Sequence, residues 1–186
     1  MPQTAFIVQV PQAENCVADL RARFDASANL GVPAHLSILV PFMSPELITP
    51  AVLTRAQAAL NGLGRFAFTL NHVGRFEATA YLAPEPAAPF VAMTEALVRA
   101  FPGFLPFGGE HATIIPHLTV AHGDATEAEA AAIELATRLQ LSGPINCQCD
   151  AVTLLENTTG RWQVMYVFEL PQTGQTHTEA NGRSEY

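Results

Sequence analysis

Two short apolar segments, one in each half of the chain, carry a histidine followed two residues later by a hydroxyl: His35 with Ser37, and His117 with Thr119. Successive side chains of a strand point to opposite faces, so the histidine and the hydroxyl of each segment share one face. Two such strands facing each other would form a pocket with two acid/base groups and two hydrogen-bond donors. The pattern predicts a site that cleaves phosphodiesters.

The His-x-Ser/Thr tripeptide alone is weak evidence, because His111 with Thr113 matches it too. His35 and His117 each begin an alternating apolar strand that ends in a turn signal and precedes a helix. His111 instead follows two glycines, and Pro116 would interrupt its strand. We therefore expect no catalytic role for His111, although a place in the lining of the site stays open to it.

The remaining histidines of the folded part are expected to be structural. His72 stands at a strand end, and His122 falls on the face opposite His117 if the alternation continues. A metal site of His111, His117 and His122 is not predicted, because their spacing fits neither a strand nor a helix ligand face. No carboxylate lies among them.

The chain of 186 residues carries a net charge of −8 and is 49% hydrophobic. All nine basic residues are arginine, which excludes Schiff-base lysine chemistry and the lysine of a phosphate-binding P-loop. So acidic a chain would be repelled by long nucleic acid. A nucleic-acid substrate should therefore be small or engaged at an end.

The cysteines indicate a reducing compartment. Cys16, Cys147 and Cys149 are an odd number and cannot all pair with one another, and neither a second cysteine pair nor a histidine cluster completes a zinc set with Cys147 and Cys149. The first residues lack the pattern of a signal peptide, and no apolar stretch is long enough to span a membrane. We expect a cytoplasmic protein with no membrane partner.

Apolar spacing and turn residues predict an alternation of strands and helices. Strands are expected over residues 5–10, 35–40, 66–70, 78–82, 117–122, 145–155 (either continuous or broken by a bend) and 162–170. Helices are expected over residues 13–24, 45–60, 89–101 and 126–139, with a loop over residues 25–33. Thr126 is the expected cap of the last helix. The repeated order suggests a duplication within a single domain of residues 1–171, followed by a flexible polar tail of residues 172–186.

Around the two tripeptides the sequence resembles the two-histidine (2H) phosphoesterase superfamily, specifically the 2′-5′ RNA ligase-like cyclic phosphodiesterases. Ser37 stands where that family more often has threonine, and the hydroxyl is retained. The resemblance extends over residues 4–170, with the matching motifs at 32–42 and 116–121 and similar connecting segments at 73–76, 80–84 and 107–109.

The resemblance implies an α+β fold: a pseudo-symmetric, two-lobed, duplicated structure with antiparallel sheets around a central cleft and helices outside. It implies hydrolysis of 2′,3′-cyclic phosphodiesters to 2′-phosphates without metal or nucleotide cofactor. His35 and His117 would be the acid/base pair, in an order the sequence leaves open. Ser37 and Thr119 would bind the phosphate.

Two other functions remain open at this level. The chain could bind a nucleotide or an RNA end without turnover, or it could run the reverse reaction as a ligase of 2′-phosphate or cyclic ends. The acidic surface disfavours the binding of two long RNA strands. The expected partner is therefore a small nucleotide or an RNA-terminal cyclic phosphate.

Overall fold

The computed structural model describes residues 2–109 and 113–172, and within these ranges the chain forms eight strands and five α-helices. The strands are β1 (Thr4–Gln9), β2 (His35–Leu39), β3 (Phe66–Phe76), β4 (Thr79–Glu85), β5 (Leu118–His122), β6 (Ile145–Cys149), β7 (Ala151–Glu156) and β8 (Gln163–Glu169). The helices are α1 (Glu14–Phe24), α2 (Ala26–Asn29), α3 (Pro50–Leu60), α4 (Ala88–Ala100) and α5 (Ala125–Ser142).

The strands form two antiparallel four-stranded sheets of matching design. Their orders are β2-β1-β7-β8 and β5-β4-β3-β6. In each sheet an edge strand follows a helical crossover: α1 joins β1 to β2, and α4 joins β4 to β5. The predicted α+β fold with two lobes of antiparallel sheet is confirmed, and the two histidine segments stand on its equivalent edge strands.

Each crossover helix packs against the edge strand of the other lobe. Helix α1 contacts β5, whereas α4 contacts β2 and donates a hydrogen bond from Thr94 Oγ1 to the Ile38 carbonyl at 2.9 Å. One continuous buried cluster joins the lobes, with Phe6 and Leu36 from the first sheet and Phe68 from the second. Each such side chain contributes about 1.5–3 kcal/mol through burial. The shared core therefore fixes the two edge strands relative to each other.

Several predicted elements have different bounds in the structure. The helix expected over residues 45–60 is a 3₁₀ turn (Pro45–Leu47) followed by α3, because Pro50 forces Thr49 into an extended conformation and Thr49 then caps the new helix. The loop expected over residues 25–33 contains α2. The strand expected over residues 145–155 is two strands, β6 and β7, in different sheets.

The cap of α5 is Asp124 and not Thr126, as the sequence had suggested. The Asp124 carboxylate accepts hydrogen bonds from the backbone amides of Thr126 and Glu127, both at 2.9 Å. Asp124 is extended and its carboxylate also complements the positive end of the helix. Thr126 lies inside the first turn.

Replacing Asp124 with alanine should lower the free energy of unfolding by about 1 kcal/mol, because two helix amides lose their acceptor. Thr126→Ala is the matched control and should change it by less than about 0.5 kcal/mol. Urea denaturation followed by circular dichroism measures both. Equal losses in the two variants would contradict the assigned cap.

Among the described residues, none of the helices has the length and apolar character that crossing a membrane would require. The predicted tail lies outside the described residues, apart from Gln172.

Candidate active site

A cleft of about 1350 Å³ opens between the two lobes, beside the edge strands β2 and β5. His35 and Ser37 line it from the first lobe, and His117 and Thr119 line it from the second. The structure therefore brings all four predicted site residues into one cavity. The two hydroxyls follow their histidines by two residues, which is roughly 7 Å along a strand.

Both imidazoles are oriented by the same kind of hydrogen bond, from Nδ1 to a backbone carbonyl two residues earlier. The Nδ1 atom of His35 lies 2.8 Å from the carbonyl oxygen of Pro33, and that of His117 lies 2.6 Å from the carbonyl oxygen of Ile115. A carbonyl oxygen only accepts hydrogen bonds, so each Nδ1 carries the proton. In the neutral ring Nε2 is then the basic atom, which is the atom that can take a proton from a reacting group.

The environment of His35 strongly favours its neutral form. Burial is the largest cause and lowers the pKa of His35 to about 4, with the charges of Arg21 and His117 acting in the same direction. The hydrogen bond to Pro33 and the charge of Asp25 oppose this effect. At neutral pH His35 is therefore an uncharged base.

A buried ion pair supports the loop that carries His35. Arg21 is 2% exposed and donates to Asp25 Oδ2 at 2.9 Å, to the Val32 carbonyl at 3.1 Å and to Ser27 Oγ at 3.2 Å. Val32 directly precedes the residue whose carbonyl holds the ring. Because all three acceptors belong to the segment before β2, the guanidinium fixes that segment and the direction in which His35 faces.

His117 contacts two aromatic rings of the described part of the chain. Its ring centroid lies 5.3 Å from that of Phe76, nearly perpendicular to it, and 5.2 Å from that of Tyr81. Phe76 and Tyr81 stack on each other with centroids 4.6 Å apart, so both lie together beside His117. Tyr81 lies across Gly74 of β3, where a Cβ atom would come within 2.2 Å of the tyrosine ring. Glycine is therefore required opposite Tyr81.

The sequence does not reveal these ring contacts. The predicted strand ended at Leu70, whereas β3 continues to Phe76 and carries both Gly74 and Phe76. The available signal was the glycine inside an apolar stretch, which often marks a close approach of another group.

A bulge in β5 brings a third histidine into the cleft. The pairing with β4 runs Tyr81 to Thr119 and then Ala80 to Ala121, so one extra residue interrupts the alternation, and His122 pairs with Thr79. His122 therefore faces the same side as Thr119 and lines the cavity, with its Nδ1 atom 2.8 Å from Thr79 Oγ1. The expectation that His122 lies on the opposite face is wrong, because it assumed an unbroken strand.

Among the described residues, one further histidine, His72, does not enter the cleft. His72 is exposed on β3 and is not among the residues that line it. His111 lies outside the described residues.

The lining of the cleft combines apolar and polar side chains. Its exposed apolar side chains include Leu105, Phe107 and Ile115. Its polar side chains include Ser27, Glu77, Thr79 and His122. Such a cavity suits a ligand with one apolar part and one polar part.

Within residues 2–109 and 113–172, no group of three or more His, Cys, Asp or Glu side chains is placed to hold a metal ion. Burial raises the pKa of Cys147 to about 11 and that of Cys149 to about 12, so both thiols stay protonated at neutral pH. Protonated thiols are poor metal ligands.

The chain belongs to the 2′-5′ RNA ligase superfamily, since the family model of that description matches residues 8–161. A comparison with curated proteins gave no match. The family match covers both histidine segments and most of the described structure.

Solved structures with this fold include LigT of E. coli. The LigT complex with 3′-AMP has a TM-score of 0.58 at 16% identity, covering 92% of this chain and 99% of that one. The LigT complex with NADP+ has a TM-score of 0.57 at 17% identity, covering 91% and 98%. A protein described as a phosphoesterase has a TM-score of 0.59 at 18% identity, covering 92% and 100%. At these identities the likeness shows the shared fold.

Titration of His35 by NMR should show the Nδ1–H tautomer at neutral pH and a protonation midpoint near 4, because burial disfavours the charged ring. The unfolded chain, with an ordinary pKa of about 6.5, binds this proton more tightly. The contribution of His35 to stability should therefore fall as the pH drops from about 6.5 towards about 4. Loss of the signal in His35→Gln assigns it, and a midpoint near 6.5 would contradict this environment.

Proposed function

We propose that this protein hydrolyses 2′,3′-cyclic phosphodiesters of nucleotides or RNA ends to 2′-phosphates, with two histidines and no metal ion. The observation that carries this proposal is the pair of imidazoles in one cleft, each oriented through Nδ1 by a backbone carbonyl. Their surroundings differ, which is how an acid and a base are separated within one site.

The geometry supports His35 as the base and His117 as the acid. Neutral His35 takes a proton from water at Nε2 as the water oxygen bonds to phosphorus. The bond from phosphorus to O3′ breaks, and protonated His117 gives its Nε2 proton to that leaving oxygen. The phosphate stays on O2′, and proton transfer between the two rings through solvent restores the enzyme.

Ser37 and Thr119 are the proposed phosphate ligands. Both line the cleft on the same strands as the histidines. Their hydroxyls can donate hydrogen bonds to the non-bridging oxygens, where negative charge increases in the transition state. Donors already held in place for this purpose each contribute on the order of 10²–10³ in rate.

A nucleotide-sized substrate fits the mixed lining of the cleft. The apolar side chains, Leu105 and Phe107 among them, suit a base, and the relative LigT has been solved with 3′-AMP and with NADP+. The net charge of −8 disfavours a long nucleic acid. We therefore propose a small or terminal phosphodiester in the cytoplasm as the substrate.

His35→Ala and His117→Ala should each lower kcat/KM for a nucleoside 2′,3′-cyclic phosphate by at least about 10³-fold, since each removes one proton-transfer group. His72→Ala is the matched control, because His72 is exposed and outside the described cleft lining. Circular dichroism should show that all three variants fold. Near-normal turnover in either site variant would refute the two-histidine mechanism.

Identification of the product by phosphorus NMR distinguishes the other functions. A 2′-phosphate supports hydrolysis as proposed. Binding of the cyclic nucleotide without any product would instead indicate a binding module. A new 2′-5′ linkage formed with a 5′-hydroxyl strand would indicate a ligase.

The pH profile of kcat/KM should be bell-shaped and unaffected by EDTA. The base must be neutral, so activity should fall on the acid side only as His35 becomes protonated near its pKa of about 4. On the alkaline side activity should fall as the acid loses its proton. An acid midpoint near 6.5 would contradict the role of His35, and loss of activity with EDTA that a divalent ion restores would indicate a metallohydrolase.

A further inference from the structure

The proposed reaction gives no role to one histidine of the described cleft lining. His122 lines the cavity, and its Nδ1 atom is held 2.8 Å from the Thr79 hydroxyl. A hydroxyl oxygen can accept from Nδ1–H, so a protonated His122 keeps that bond and has a second N–H, on Nε2, for a ligand. This arrangement differs from that of His35 and His117, whose Nδ1 atoms face backbone carbonyls.

The bulge sets the distance of His122 from the phosphate site. Thr119 and His122 lie opposite Tyr81 and Thr79, which are two residues apart on β4 and point to the same face. His122 therefore stands roughly 7 Å along the sheet from the proposed phosphate ligand Thr119. That spacing is comparable to the distance between neighbouring phosphates along a nucleotide strand.

Carboxylates of the described cleft lining set limits on an anion there. Asp25 is neutralised by Arg21, and Glu95 is paired with Arg99. Glu77 lines the cleft two residues before Thr79 and is exposed at the turn between β3 and β4. An anion bound at His122 is therefore attracted by the imidazolium and repelled by Glu77.

We propose that His122, positioned by Thr79, binds a second phosphate of the substrate, the one carried on O5′ of the nucleotide whose cyclic phosphate is hydrolysed. This inference rests on the proposed function of the cleft. The preferred substrate class is then a nucleotide or RNA end with a 5′-side phosphate, and not an unphosphorylated nucleoside 2′,3′-cyclic phosphate. The contact is a charge-assisted hydrogen bond from Nε2–H to a phosphate oxygen.

The test compares two substrates that differ by a single phosphate: adenosine 2′,3′-cyclic phosphate with a free 5′-hydroxyl, and the same compound with a 5′-phosphate. The ratio of their kcat/KM values isolates the second contact, because any general defect of a variant cancels. For the wild-type protein at pH 6 and low salt, the 5′-phosphorylated compound should be favoured by about 10-fold. The preference should shrink as salt rises.

Variants should move this ratio in opposite directions. His122→Ala and His122→Asn should bring it close to one, and Thr79→Val should lower it by releasing the ring. Glu77→Gln should raise it, because the opposing carboxylate is removed. His72→Ala is the control and should leave the ratio as in the wild type.

A wild-type ratio of one or less, or a ratio unchanged in His122→Ala, would overturn the proposal. Failure of the underlying function has a different signature, namely no hydrolysis of either compound by the wild-type protein. Calorimetric binding of the same two compounds then tests the contact alone, and equal affinities of the wild type for both would also overturn it.

Discussion

The site depends on one constraint: two edge strands from different sheets must be held side by side. β2 and β5 share no hydrogen-bonded ladder, since each pairs only with the next strand of its own sheet. What holds them together is the apolar core common to both lobes and the exchange of crossover helices, α1 onto β5 and α4 onto β2. Close packing makes this core stiff, so the distance across the cleft is set by burial.

A second consequence of the two-lobed design is that two similar histidine segments have different surroundings. Both histidines donate from Nδ1 to the carbonyl two residues earlier. One ring is buried near Arg21, whereas the other contacts the rings of Phe76 and Tyr81, which stack on each other. Pseudo-symmetry supplies two similar groups, and the different packing around each of them supports the proposed division into a base and an acid.

The arginines of this acidic protein mainly join elements of the fold through ion pairs and hydrogen bonds. Arg138 joins α5 to α1 through Asp19, and Arg65 joins β3 to β8 through Glu169. In the described cleft lining, Arg99 is paired with Glu95 of the same helix. In the proposed function, the groups that bind the phosphate are hydroxyls and histidines of the cleft.

The sequence by itself determined what depends on neighbours along the chain. Strand alternation placed Ser37 beside His35 and Thr119 beside His117, and the order of strands and helices indicated two similar lobes. These features follow from side-chain direction and apolar periodicity, which are local. The cap of α5 is also a local feature, but the prediction chose Thr126, whereas Asp124 accepts from the first amides of the helix.

Only the tertiary structure decided the features that depend on contacts between distant segments. The bulge that places His122 in the cleft belongs to the pairing of β5 with β4. The burial of His35 depends on elements packed around it from elsewhere in the chain. The burial of a side chain and the register of a strand both depend on many long-range contacts, so no short sequence pattern predicts them. The residue types that can do the chemistry are thus local information, whereas the surroundings that support their proposed division into base, acid and phosphate ligand are a property of the fold.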